Sequence, residues 1–295
     1  EADHTPWLDE RFPTDAAHLP TLAERLVLAA GRVRDGIGYG PHGLVRMLAG
    51  DWNGALDRVG RSGAGESVLT TAQFAAALRS LVESCRRGGH RGPADRFDAW
   101  QREAAAAVGD AHRSGAFLRG YSDTGDAFGD PATGPIFLDV QAWAVLARCG
   151  TVTQRREALD RVMAACGDAP FTVLTASYPA TWPAALGHAA ILPGEGLNAG
   201  IGLIEAAWFL QALALEGRSP VALTRFQELT LRCRAAGEAR PPFPAICRSA
   251  RVNGPAAQAL AWWPETVPAV DALPAAAAVA WEEEILRALL TPPPA

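Results

Sequence analysis

Apolar residues recur at helical spacing along most of the chain. Over 21–37, Leu22, Leu26, Leu28, Ala29 and Val33 recur at helical spacing, which predicts a helix. The same pattern predicts helices over 65–89, 93–113, 136–150, 151–167, 197–217, 219–237 and 274–290. The helix over 65–89 closes on Arg86-Arg87-Gly88-Gly89, a good C-terminal signal. Period-two alternation is scarce. The helices of 136–150 and 151–167 meet at Gly150 and Thr151, and those of 197–217 and 219–237 repeat that hairpin form. Between helices lie segments rich in Gly, Pro and Asp: 38–64, 114–135, 168–196 and 238–268. Loops longer than roughly 12–15 residues are usually functional or disordered. Three of these four place Trp or Tyr beside acids or Arg. The expected fold is therefore all-α, a toroid of helical hairpins with its cleft at the loop end. No linker divides the chain, so residues 1–295 are expected to form a single domain.

Composition narrows the function. Alanine is abundant and apolar residues make up 49% of 295 residues, enough for a large helical core. The net charge is −5 and no basic stripe alternates with aromatics, which argues against a nucleic-acid partner. No apolar run reaches the roughly 18 residues that span a bilayer. The five cysteines show no CxxC or Cys/His spacing. They read as reduced thiols in the core of a cytoplasmic protein, with no metal and no cofactor expected.

Candidate chemistry gathers in Leu48–Val68, LAGDWNGALDRVGRSGAGESV. Carboxylates around an aromatic platform suit a carbohydrate site. Asp51, Trp52 and Asn53 form a sugar subsite, or Asp51 caps a turn and Trp52 fills the barrel. Asp57 is a proton donor, or it pairs with Arg58 or Arg61. Glu66 binds substrate, or it is a first-turn acid favoured by the helix dipole. Arg119 and Asp123 bind hydroxyls, or Asp123-Thr124-Gly125 is simply a turn. Asp139 and Gln141 face the cleft, or Asp139 caps its helix. Glu205, at i+4 from Ile201, faces the cavity or a neighbouring helix. His42 sits in a Gly/Pro turn with no second His near it.

GDWNGALDRVGRSGAGESV resembles a motif of glycoside hydrolase family 94, whose usual form is close to GDWNDGMNRVG…GESVW. Three further stretches match in the same order. FLRGYSDTGDAFG (117–129) is similar to WYRRAYFDDGTPLG, LDVQAWAVLARCG (138–150) to IDSIAQSWAVLSG, and PGEGLNAGIGLIEAAW (193–208) to PGVRENGGQYTHAAIW. The family includes cellobiose and chitobiose phosphorylases and the phosphorylase-like region of cyclic β-1,2-glucan synthases. The resemblance implies an (α/α)6 barrel of twelve helices, of which this chain carries about eight, so an incomplete barrel is expected.

The departures from the family bear on its chemistry. The family's general acid is the Asp directly after Trp-Asn, and here that position is Gly54. The family's ENGGQYTH falls on Leu197–Ile204, so its Glu, Gln, Thr and His become Leu197, Ile201, Leu203 and Ile204. Its Thr-Gly-Ser phosphate loop falls on DALPAAAAVAW (271–281). The resemblance thus implies a divergent carbohydrate-active protein binding or acting on β-linked glucosides, with phosphorolysis lost. If catalysis persists, Asp57 and Glu205 are the candidate catalytic acids. The alternative is a non-catalytic homologue serving as a ligand-binding or partner subunit. An incomplete toroid leaves apolar faces uncovered. Association with a second copy or a complementing subunit is therefore expected, through the first helix (Leu22, Leu26, Val33) and the last (Trp281, Ile285, Leu289).

Overall fold

The computed structural model of the chain describes residues 6–11, 20–168, 171–235 and 246–247. Among them are seven α-helices: α1 (Leu22–Gly31), α2 (Val68–Arg87), α3 (Arg91–Asp110), α4 (Leu138–Leu146), α5 (Val152–Cys166), α6 (Leu203–Leu215) and α7 (Ser219–Ala235). Each corresponds to one of the first seven predicted helices. The eighth, over 274–290, lies outside the described residues, together with Trp281, Ile285 and Leu289. Strands are two residues long. Glu66–Ser67 (β1), Gly120–Tyr121 (β4) and Ala127–Phe128 (β5) form an antiparallel sheet in the order β1-β4-β5. His112–Arg113 (β2) pairs with Ala116–Phe117 (β3), and Ile201–Gly202 (β6) with Ile246–Cys247 (β7).

Local chemistry sets the helix ends. Thr21 and Glu24 form a capping box on α1, as Thr151 and Gln154 do on α5, each satisfying backbone donors that the first turn leaves open. Gln154 also donates to the Gly109 carbonyl (3.2 Å), fastening the start of α5 to the end of α3. The Ser67 hydroxyl caps α2 through the Thr70 N–H (3.0 Å). After α1 the chain widens into a π-helical turn, Arg32–Ile37, which ends at Gly38 (φ 77°). The predicted start of α6 at 197 is corrected to 203. Asn198 accepts from the Tyr178 N–H (2.8 Å) and Ala199 adopts φ 68°, so 197–200 is a turn.

Three hairpins stand side by side. Short connections make α2 and α3, α4 and α5, and α6 and α7 successive partners. In addition α4 packs between α2 and α6, so these three form one layer. The sequence of α4 explains that central place. Leu138, Ala142 and Val145 lie along one face and join the core shared with α5, α6 and α7. Val140, Ala144 and Ala147 lie opposite and join the core of α1, α2 and α3. A helix apolar on two faces is a buried helix. Its third stripe carries Asp139 and Trp143, four residues apart and therefore one above the other. On α1, Leu26 and Val33 of the following turn pack partly buried against the first core, whereas Leu28 stays exposed.

Phe97 on α3 is fully buried in that first core and packs edge-on against Trp100. Phe97→Ala is expected to lower unfolding free energy by about 3–5 kcal/mol, read by urea denaturation. A loss below about 1 kcal/mol would show that the α2–α3 hairpin is not packed as described.

Candidate functional site

The N-terminal ends of α2, α4 and α6 each bring a polar side chain to one region: Ser67, Asp139 and Glu205. Arg119 ties the first two together. Its backbone is fixed by the small sheet, accepting from the Val68 N–H (3.2 Å) and donating to the Phe128 carbonyl (2.9 Å). The side chain is wholly buried, with its guanidinium 5.7 Å from the centre of the Phe137 ring. Nη2 donates to Asp51 Oδ1 at 2.7 Å and Nη1 to Ser67 Oγ at 3.4 Å. Nε lies 3.4 Å from Asp139 Oδ2, an ion pair without good hydrogen-bond geometry. Asp51 closes the network by accepting from Ser67 Oγ (2.6 Å) and from the Asn53 N–H (2.9 Å).

The charges divide unevenly. Burial pushes the Asp51 carboxyl up, but the Arg119 guanidinium and the hydrogen bonds from Arg119, Ser67 and Asn53 outweigh it and hold Asp51 below the ordinary value. Burial raises Asp139, and the Asp51 charge adds to that, against the pull of Arg119. Glu205 is pushed up to about 6, first by burial and then by the Asp139 charge. One Arg thus serves Asp51 fully, and the other two carboxyls hold protons more tightly than usual.

Trp52 stands over this group. It is 53% exposed, so it does not fill the core. Its indole Nε1 donates to Glu205 Oε1 at 3.4 Å, and its ring meets Trp208 edge-on, 5.2 Å between centroids. Trp208 in turn meets Trp143 at 5.4 Å. The buried Trp143 Nε1 has no hydrogen-bond partner among the described residues. An acid and a tryptophan one turn apart recur on two helices, Asp139/Trp143 (four residues) on α4 and Glu205/Trp208 (three residues) on α6, which puts each pair on one stripe. A Cβ at Gly202 would overlap the Glu205 carboxylate, so glycine there lets Glu205 fold back toward the helix start.

The other candidates sit elsewhere. Glu66 is buried and accepts from the His42 and Leu44 N–H groups (3.0 and 3.2 Å) and pairs with His42 Nδ1 (2.5 Å). His42 also stacks on Tyr121 at 3.6 Å. Glu66 precedes the Ser67 cap, so it is not a first-turn acid. Asp123 accepts from the N–H groups of Ser62, Ala64 and Gly65 (2.6, 2.9 and 2.9 Å) and shapes the glycine loop. Gln141 is buried and spends both ends of its amide on Phe117, with its Nε2 also donating to Phe137 O. Asn53 is buried and its Oδ1 accepts from the Ala55 N–H (3.1 Å). Asp139 does not cap α4. That position belongs to Phe137, and Asp139 accepts from the adjacent Val140 N–H (2.7 Å).

Asp57 pairs with His188 rather than with Arg58 or Arg61. It accepts from the His188 N–H (2.9 Å) and lies 2.5 Å from His188 Nδ1. The backbone and ring hydrogen bonds from His188 hold its carboxyl below the usual range. His188 and Trp182 were not singled out from the sequence. Each acts across more than a hundred residues, and no local spacing marks such a contact. Trp182 donates its indole N–H to the Ala55 carbonyl (2.8 Å), pinning 171–196 to the Trp52 loop. Gly54 is exposed, and a Cβ built there would meet no atom within 4 Å.

Residues 2–235 match the profile of the Glycosyl hydrolase 94 superfamily, catalytic domain. Among characterised relatives, the chain is 32% identical over 156 residues to 3-O-beta-D-glucopyranosyl-beta-D-glucuronide phosphorylase of Paenibacillus borealis. That match covers 51% of this chain and 20% of that protein. It is 31% identical over 192 residues to solabiose phosphorylase of the same organism, covering 61% and 22%. It is 29% identical over 199 residues to cyclic beta-(1,2)-glucan synthase NdvB of Rhizobium meliloti (strain 1021), covering 64% and 7%. The matches therefore span under a quarter of each relative. A solved structure of an uncharacterized conserved protein from Thermus thermophilus superposes with TM-score 0.48 at 10% identity over 62% of this chain and 42% of that one. That likeness carries no functional information. No helix among the described residues is long and apolar enough to cross a membrane.

Two measurements test the charge arrangement. Arg119→Met strands Asp51 in the interior and is expected to cost about 3–5 kcal/mol of stability at neutral pH. Adding Asp51→Asn should recover part of it, and purely additive losses would contradict the pairing. For Glu205, the carboxyl gives up its proton at lower pH unfolded than folded. Stability therefore falls as pH rises from the ordinary 4.5 through about 6 and then levels. Glu205→Gln removes that dependence. The variant should gain on the parent across this window by up to about 2 kcal/mol. Parallel stability–pH curves for the two proteins would refute it.

Proposed function

The chain belongs to the glycosyl hydrolase 94 superfamily, and from that premise we propose that it holds β-linked glucosides or oligosaccharides in the cleft at the starts of α2, α4 and α6 without phosphorolysing them. It is a carbohydrate-active protein of the glycoside phosphorylase/hydrolase type. One observation carries the finer reading: a half-exposed Trp52 beside an open, side-chain-free Gly54. An indole face stacks on the apolar face of a pyranose, and Glu205 beside it accepts from hydroxyls. Asp51, Arg119 and Ser67 hold the loop that presents Trp52. Arg119 is wholly buried, and the Asp51 carboxylate and Ser67 hydroxyl are engaged inside the protein, so they position the platform rather than bind sugar.

Phosphorolysis needs a proton for the leaving oxygen and donors or positive charge for the attacking phosphate. Gly54 supplies no proton, and losing a general acid typically removes about 10²–10⁴-fold in rate. Ile201 is buried in β6 and Ile204 is half-buried, so neither offers a donor to an anion. The reading in which the cleft only binds rests on these coordinated replacements. A second reading, hydrolysis, is supported by Glu205. With its proton affinity raised to about 6, it can protonate a glycosidic oxygen near neutral pH while water attacks from the other face. Asp57 suits that role less well, being held ionised by His188 at the rim. Cys85 and Cys149 are buried free thiols, which supports a reducing compartment such as the cytoplasm.

Incubation with phosphate and cellobiose, chitobiose or β-1,2-glucan is expected to yield no sugar 1-phosphate. Gly54→Asp should not restore it, although the space there is open. Phosphate-dependent release of a sugar 1-phosphate by the parent chain would overturn the reading. Calorimetry should show binding of a β-linked gluco-oligosaccharide that weakens about tenfold or more in Trp52→Ala. Phosphate-independent release of reducing sugar, abolished in Glu205→Gln, would select hydrolysis over binding alone.

A further inference from the structure

The arc Trp52-Asn53-Gly54 is suspended between two anchors. At its start Asp51 is bound to Arg119 and Ser67. Beyond its end the chain is stitched to the segment 182–188. Trp182 Nε1 donates to the Ala55 carbonyl (2.8 Å) and Arg58 N–H to the Leu186 carbonyl (3.1 Å). Arg58 Nη1 donates to the Ala184 carbonyl (2.9 Å). Gly187 passes so close to Ala55 that a Cβ there would overlap its carbonyl oxygen. His188 completes the seam, and both of its ring nitrogens are engaged. Nδ1 lies 2.5 Å from Asp57 Oδ2, and Nε2 accepts from Arg58 Nε at 3.0 Å.

An Arg N–H can only donate, so Nε2 carries no proton, and a carboxylate can only accept, so Nδ1 carries it. We propose that His188, as the neutral Nδ1–H tautomer, is a positioning residue that sets how far Trp52 reaches toward Glu205. The geometry behind this is specific. Gly54 is exposed and Trp52 half-exposed, and only Asn53 between them is buried, with its Oδ1 accepting from the Ala55 N–H, so the two ends share with that one residue the task of shaping the arc. Asp57 and Arg58 are adjacent in sequence and of opposite charge. His188 engages both at once, as a donor to one and an acceptor from the other. A Lys in its place can only donate, and the amide of Asn or Gln, though both donor and acceptor, places its atoms near only one of the two ring-nitrogen positions. The end of the arc is thereby held in orientation as well as in distance.

The inference rests on the carbohydrate reading only where sugar affinity is the readout, and the tests separate the two. In the unaltered protein at pH 8, long-range proton–nitrogen correlations of labelled histidine should place the His188 proton on Nδ1. A proton on Nε2 would overturn the proposal even if every variant failed to fold. Two variants divide the bonds. His188→Asn keeps a donor near the Nδ1 position, and His188→Gln keeps an acceptor near the Nε2 position. Without ligand, amide exchange across residues 52–57 should quicken about threefold or more in both variants, with α2 and α3 unchanged. Exchange equal to the parent's would refute a positioning role. With sophorose as the probe, both variants should bind about three- to tenfold more weakly. Faster exchange with sophorose affinity unchanged would uphold the seam while overturning the claim that it sets the Trp52–Glu205 reach. No sophorose binding by the parent would count against the carbohydrate reading, leaving the exchange and tautomer results to decide the role of His188.

Discussion

A fully buried guanidinium organises this molecule. Arg119 has no access to water, so its charge must be met inside the protein, and an unpaired ion there would cost several kcal/mol. It is met by Asp51, Asp139 and the Ser67 hydroxyl, from three separate parts of the chain. The small sheet fixes the Arg119 backbone, and the packing of α4 between α2 and α6 fixes where Asp139 and Ser67 can be. Arg119 therefore sets the position of the loop that begins at Asp51. Trp52 is carried on that loop, and Glu205 meets it from the start of α6.

The same interaction distributes charge. Arg119 can neutralise one carboxylate well, and Asp51 is the better placed. Asp139 and Glu205 then sit in a poorly hydrated place with less compensation, which raises their proton affinities. The site combines a committed ion pair, a carboxyl that titrates near neutrality and an aromatic face open to solvent. Such a set can hold a polyhydroxylated ring and can offer a proton. Among the described residues the start of α6 carries the aliphatic side chains of Ile201 and Ile204, on which the proposed loss of phosphorolysis rests.

The helices were legible in the sequence because apolar positions repeat at their period, most clearly on α1, α2 and α3. The start of α6 was not, because Leu197 to Gly200 continue an apolar pattern while Asn198 and the left-handed Ala199 bend the chain. Two-residue strands carry no period at all and could not be foreseen. At the site, the polar or aromatic character of Asp51, Trp52, Arg119, Asp139 and Glu205 marks them in the sequence, and the structure brings them together. Glu66, Asp123 and Gln141 share that polar character in the sequence, but each is used on backbone amides. A buried group that binds backbone and one that binds ligand need the same atoms, so residue type alone does not separate them. The partner of Asp57 was hidden for another reason. His188 reaches it across 131 residues, through a seam that only the folded chain makes.

The central claim is that the sugar platform persists where the phosphorolytic groups have gone. A crystal structure of the protein soaked with a β-linked gluco-disaccharide and phosphate tests it most directly. The account predicts a pyranose ring stacked on Trp52 with a hydroxyl on Glu205, no side chain reaching the glycosidic oxygen from Gly54, and no phosphate beside Ile201 and Ile204. A phosphate ordered there in line with the anomeric carbon, or a disaccharide bound away from Trp52, would contradict it.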